Sequence, residues 1–235
     1  MSGAFRFAEA CASAERQLVR ELRLSALPLP AELERLDGSW KGDAVTLSAR
    51  AYVGPRIGYA RFVEISGGGL DIGNVLLLSR AEYPLPMLGA DLVGLGKDMG
   101  VLVADLSPVP PLREVLPLSE REQRALSTLA LPPAGELPAW CRPWFSAQAL
   151  CVRITPEHAA AAALALALFC SRFAQLAQGC EEQPGSAEAV AEWQVRYCAA
   201  HRRDDRGLGL LHKIFDPKLA ERFLQRVLFP EGARA

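Results

Sequence analysis

At 235 residues, half of them hydrophobic and 23% charged, the chain is too apolar to stay disordered and long enough to enclose a sizeable core. Lys and Arg number 26 against 27 Asp and Glu, a net charge of −1, which argues against a protein built to coat nucleic acid or an anionic membrane. A single domain spanning 1–235 is expected.

Residues 4–26 place Phe7, Cys11, Leu18 and Leu22 at helical spacing with charges between them, which predicts an amphipathic first helix stopped by Pro28 and Pro30. From Val45 to Asp105 short β-branched and aromatic runs follow one another, at 45–47, 59–65, 70–78, 92–93 and 101–103. Gly67-Gly68-Gly69 between two of them predicts a hairpin turn, and the lack of helices between strands predicts a largely antiparallel sheet. Pro108, Pro110 and Pro111 end that region. A short polar helix over 119–130, a Pro-rich loop over 131–143 and one more strand over 144–154 follow. Pro156 then opens an Ala-rich helix ending near Gly179 as a first-turn proline. Its most apolar run, 159–170, is too short to span a bilayer. After a polar linker at 180–186, amphipathic helices are expected at 187–203 and 217–228. This order predicts an α/β fold, a three-layer α/β/α sandwich around a central, mostly antiparallel sheet.

Cysteines stand at 11, 141, 151, 170, 180 and 198, with no C-x-x-C pair, and the chain has three His (His158, His201, His212). No metal site is expected. No basic-then-apolar start with a cleavage site is visible, so the thiols read as reduced and buried in a cytoplasmic protein. The glycine run lacks G-x-G-x-x-G and G-K-[ST] and leads into a strand, which excludes a phosphate loop. No serine sits in a G-x-S-x-G elbow.

The polar residues out of place are elsewhere. Asp91 lies among apolar residues, either as a solvated strand residue or as a buried acid of raised pKa. Asn74 and Glu64 stand in strand-forming runs, each a functional candidate or an exposed strand position. Asp204-Asp205-Arg206 sits in a charged run that reads as loop or site.

Three blocks carry a resemblance. Tyr83-Pro-Leu-Pro-Met-Leu-Gly-Ala-Asp-Leu-Val93, followed by Val103-Ala-Asp-Leu-Ser-Pro108, resembles the central signature of the ferredoxin-dependent bilin reductases. Asp204-Asp-Arg, Leu211-His-Lys-Ile-Phe215, Ala220-Glu-Arg-Phe and Val227-Leu-Phe-Pro230 resemble that family's last helices. Trp144-Phe-Ser146 with Val152-Arg153 resembles its penultimate strand. The likeness covers about residues 59–230 in matching order.

The resemblance implies an α/β/α sandwich that binds biliverdin IXα, or a related linear tetrapyrrole. It reduces this substrate with single electrons from a transiently bound ferredoxin, without a bound cofactor or metal. A monomer with no nucleic-acid or membrane partner is expected. Asp91 matches the family's central aspartate and is implied as main proton donor, with Asp205 as the second. Arg206 is implied as a propionate partner, with Arg153 and Arg142 as further candidates. Asn74 occupies the place of a histidine in phycocyanobilin-forming members and resembles the phycoerythrobilin- and phytochromobilin-forming ones. Glu64 aligns with a glutamate of the phycocyanobilin-forming enzymes when the glycine turn is taken as two residues shorter. Gly135 falls where some relatives have arginine. A bilin carrier on the same fold, or a reductase of a chlorophyll catabolite, are the alternatives. Nine Lys/Arg against five acids from residue 196 onward suggest where an acidic ferredoxin docks.

Overall fold

The computed structural model describes residues 7–231 except 97, 111, 113–116 and 205–206. Asp205 and Arg206 therefore lie outside the described residues.

The chain runs through α1 (Phe7–Glu21), β1 (Ser25–Leu27), a one-turn α2 (Ala31–Glu34), β2 (Arg35–Trp40), β3 (Asp43–Val53), β4 (Ile57–Gly67), β5 (Leu70–Ser79), β6 (Met87–Leu95) and β7 (Met99–Ser107). After it come α3 (Glu120–Thr128), β8 (Leu150–Ile154), α4 (Ala159–Gly179), α5 (Ala187–Asp204), α6 (Gly207–Ile214) and α7 (Pro217–Phe223), which runs on into a π-helical turn, Leu224–Leu228. The eight strands form one sheet in the order β1-β3-β4-β5-β6-β7-β8, with β2 also on β3. Every pairing is antiparallel. The short β4–β5 turn rests on Gly67, Gly68 and Gly69, whose φ values of +106°, +60° and +77° other side chains resist.

Strand alternation sorts side chains to two faces. On one face Ala60, Phe62, Val75, Leu77, Ala90 and Leu102 meet Cys11 and Leu18 of α1 and Phe169 and Phe173 of α4. Fully burying each of those phenylalanines contributes roughly 1.5–3 kcal/mol. By length and composition α4 and its leading turn are apolar enough to cross a membrane. Here Ala162, Ala165, Ala174 and Ala177 are buried, and the small side chains let the helix lie close. On the other face Leu47, Val63, Ile65 and Ile72 meet α6 and α7, while Tyr59, Leu76, Leu78 and Met87 meet α5. The three-layer α/β/α architecture with an antiparallel sheet is thus the one the sequence predicts.

Four local expectations are corrected. The first helix stops at Glu21 because Arg23 turns left-handed at φ +53°, and residues 25–27 then pair with β3. The strand expected over 144–154 begins only at Leu150, because the amides of Trp144 and Phe145 turn back to the Cys141 carbonyl. Strand β2 was not expected from Asp37-Gly38-Ser39, and α6 was hidden by Gly207 and Gly209. All six cysteines are free, and burial pushes Cys11 and Cys198 up to about 12, which leaves them as inert thiols.

Candidate functional site

Cross-strand register brings Val63, Asn74, Asp91, Val103 and Cys151 into one row across β4 to β8, on the face covered by α5–α7. One step along lies the row Arg61, Leu76, Gly89, Asp105 on the same face. A cleft of about 330 Å³ opens between this face and the C-terminal helices. Asn74 and Asp91 are its polar wall, and Val93, Leu210, Leu228 and Phe229 are among its apolar ones. A mostly apolar cavity with a few convergent polar groups is the usual form of a site for an organic ligand. A larger cleft of about 550 Å³ beside Leu27 and Pro230 has no buried carboxyl among its described walls.

Asn74 and Asp91 are hydrogen-bonded to each other. The Asn74 amide nitrogen donates to Asp91 Oδ1, and the Asn74 amide oxygen accepts from Arg61 Nη1. Arg61 is 1% exposed, the largest fully buried side chain in the protein's described part. Its Nε donates to the Leu228 carbonyl at 2.7 Å, and its guanidinium lies 5.3 Å over the Phe229 ring. Burial pulls its pKa below the ordinary value, and nearby acids including Asp91 and the Tyr59 and Tyr197 hydroxyls oppose that. The π-helical turn explains the Leu228 contact. Its wide winding leaves the carbonyls of Val227 and Leu228 to accept from Tyr59 Oη, at 2.8 Å, and from Arg61.

Three further polar side chains crowd the same end. The Tyr197 hydroxyl lies over Gly89, and burial raises its pKa well above the ordinary value. Asp105, 1% exposed, accepts from Ser107 Oγ at 2.7 Å, from Ser146 Oγ at 2.5 Å and from the Ser146 amide at 2.9 Å. Burial raises its pKa against those bonds, which lower it. The ring of His201 lies among Trp140, Tyr197 and Phe229, at centroid distances of 4.8, 4.2 and 4.7 Å. Its Nε2 is buried without a hydrogen-bond partner among the described residues. Desolvation, with the Arg61 charge second, depresses it from 6.5 to about 3, so it is neutral at physiological pH.

Of the residues expected from the sequence, the structure brings Asn74 and Asp91 together at the cleft. Asp205 and Arg206 fall outside the described residues; Gly207, next in the chain, lines the cleft. Glu64, a catalytic candidate on its alignment, is not brought there. The short glycine turn makes Val63 the partner of Asn74 and Glu64 that of Gly73, so Glu64 points to the α1 face. There Arg50 bridges it at 2.7 Å to Glu15 of α1, also 2.7 Å away, and Tyr52 donates to the same Glu15. Arg153 stands exposed on β8, and Arg142 faces Glu136 at 3.5 Å in solvent; neither lines the cleft. Arg61, Asp105, Tyr197 and His201 were not among the site candidates read from the sequence. For Arg61 the signal was present, an arginine in the middle of a strand whose neighbouring residues are mostly apolar.

Comparison with known proteins gives consistent results. The family model for ferredoxin-dependent bilin reductase matches residues 11–230. A phycoerythrobilin:ferredoxin oxidoreductase of Gloeobacter violaceus is 29% identical over 233 residues, 92% of this chain and 91% of that one. A phycocyanobilin:ferredoxin oxidoreductase of Synechococcus is 32% identical over 211 residues, 86% of this chain and 82% of that one. Among solved structures, phytochromobilin synthase from tomato in complex with biliverdin superposes with a TM-score of 0.81 at 18% identity, covering 95% of this chain and 82% of that one.

Proposed function

The chain belongs to the ferredoxin-dependent bilin reductases, and on that premise we propose that it reduces biliverdin IXα, or a dihydrobiliverdin, with Asp91 as the main proton donor. The observation that carries this reading is Asp91 itself, an acid in the wall of a mostly apolar cleft with one oxygen engaged by Asn74. The tomato enzyme of the same fold holds biliverdin, which supports a linear tetrapyrrole as the occupant.

Each double bond reduced takes two electrons and two protons. Two reduced ferredoxins each give up one electron. The first electron makes a bilin radical, and a proton from the carboxyl of Asp91 neutralises the charge that arrives with it. The second electron and a second proton, assigned to Asp205, complete the saturated bond. Solvent then reprotonates the acids. Arg206 serves as propionate partner in this reading, and Arg153 and Arg142 stay outer candidates for the same role. Asn74 contributes no proton, because a neutral amide does not transfer one near neutral pH. The expected product is therefore of the phycoerythrobilin or dihydrobiliverdin type.

An anaerobic assay with biliverdin, ferredoxin and a reducing system tests this. Wild type should consume biliverdin, and chromatography should identify the product. Asp91→Asn should bind biliverdin and stall as a long-lived radical, with turnover down at least about 100-fold, the usual worth of a positioned acid. Turnover of Asp91→Asn near wild type would remove Asp91 from the mechanism. Phycocyanobilin as main product would overturn the role given to Asn74.

A further inference from the structure

Asp91 has two carboxyl oxygens, and the structure distinguishes them. A guanidinium carries only donors, so the Asn74 oxygen must be the atom that faces Arg61. This fixes the amide orientation, and the Asn74 nitrogen, also donor-only, must face Asp91. Asp91 Oδ1 is then an acceptor in every protonation state, and an acid proton on Asp91 resides on Oδ2. Arg61 cannot swing away. It is held by Leu228 and Phe229 and is fully buried.

We propose that Arg61 is a positioning residue of the reaction, which acts through Asn74 to keep the Asp91 proton on Oδ2 and to hold a fixed positive charge behind the acid. The proposal rests on the reading of Asp91 as proton donor. The charge has a second effect. A donor that has just released its proton leaves a carboxylate, and a nearby cation stabilises that carboxylate, so the acid is stronger than it would otherwise be. Among the described residues, the charged and titratable groups near this side include Arg61 and Tyr59 from β4, Asp105 from β7, and Tyr197, Cys198, His201 and Arg202 from α5. His201 is neutral and Tyr197 keeps its proton at physiological pH, and Arg61 is the cation that Asn74 links to Asp91.

The test is a pH titration of the Asp91 carboxyl by infrared difference spectroscopy on ligand-free protein, the band identified by its loss in Asp91→Asn. Arg61→Met should move the midpoint up by at least about one pH unit, and Arg61→Lys should bring it most of the way back. With biliverdin and ferredoxin, the same two variants should slow and then restore decay of the radical while biliverdin affinity changes little. A folded Arg61→Met with a wild-type midpoint overturns the proposal. If Arg61→Met does not fold, Asn74→Ser decides: it cuts the relay and leaves Arg61 in place with room for a water. Its midpoint should also rise, and an unmoved one overturns the proposal. Should wild type fail to reduce biliverdin, the functional reading falls, while the titration still reports on the relay by itself.

Discussion

A histidine ring enclosed by aromatic rings makes the protein's stability depend on acid in a defined window. His201 takes up a proton at about 3 in the folded state against its ordinary 6.5. Between those values the unfolded chain holds a proton that the folded one does not, so stability falls as pH drops through 6.5 toward 3. The slope from this residue approaches about 1.4 kcal/mol per pH unit. His201→Phe should abolish it, and at neutral pH should cost little or even stabilise, since it removes a buried Nε2 without a partner. Urea unfolding of both proteins at pH 7 and pH 5 checks this, and equal losses in the two would locate the acid sensitivity elsewhere. At this scale sequence alone goes part of the way. Asp91 and Asn74 are legible because an acid and an amide stand out in apolar strands. The face of Glu64 is not, because a period-two pattern decides it by one residue of register, which the turn sets. His201 reads as one more residue in a His-Arg-Arg run until α5 is packed on the sheet.

Among the elements, β2 and α6 are the ones that composition conceals, and they meet. At Gly38 of β2 an added Cβ would stand 2.7 Å from Phe215 Cδ1 and closer still to the Ile214 carbonyl, so the missing side chain is what admits the C-terminal end of α6. Helix α6 supplies Gly207, Leu210 and Leu211 to the cleft. Gly38→Ala should therefore displace that wall. Biliverdin affinity should fall about tenfold or more, with stability reduced by about 1–3 kcal/mol, the usual cost of overpacking. Binding titration and melting of the variant measure the two effects, and unchanged affinity would mean that α6 adjusts without moving the cleft. Strands β3, β4, β5 and β7 were legible because each holds a β-branched, aromatic or apolar run of at least three residues, whereas of β6 only Leu92-Val93 stood out. Arg35 to Trp40 holds no such run, and pairs with β3 only because a tight turn at Lys41 and Gly42 folds it back.

Over the whole molecule charge is nearly balanced, yet the region from residue 196 carries nine Lys/Arg against five acids. Several of these are engaged, as in the pairs Arg203–Asp204 and Arg222–Glu32, both at 2.6 Å. Lys213, Lys218 and Arg226 are exposed on α6, α7 and the final turn, and no ion pair holds them among the described residues. An acidic electron donor would be steered to this end. Reduction under ferredoxin-limited conditions should slow several-fold between low and physiological salt. The triple change of Lys213, Lys218 and Arg226 to Glu should raise the KM for ferredoxin several-fold and leave kcat unaltered. A salt-independent rate would leave these residues as ordinary solvated surface.

The π-helical turn has a consequence in time as well as in space. Arg61 and its carbonyl partner Leu228 are separated by 167 residues, and the Phe229 ring follows directly. During synthesis β4 leaves the ribosome long before the turn that receives its arginine. Until that turn arrives, the guanidinium has nowhere dry to go, and the sheet cannot close over it without stranding a cation. The dry seat for Arg61 is thus complete only once residues 224–229 are present. A chain stopped after Phe223 should consequently expose Arg61 to solvent, bind no biliverdin and be degraded quickly. Limited proteolysis of the shortened and the 235-residue proteins, compared side by side, checks this, and equal resistance would mean that Arg61 is covered without the turn.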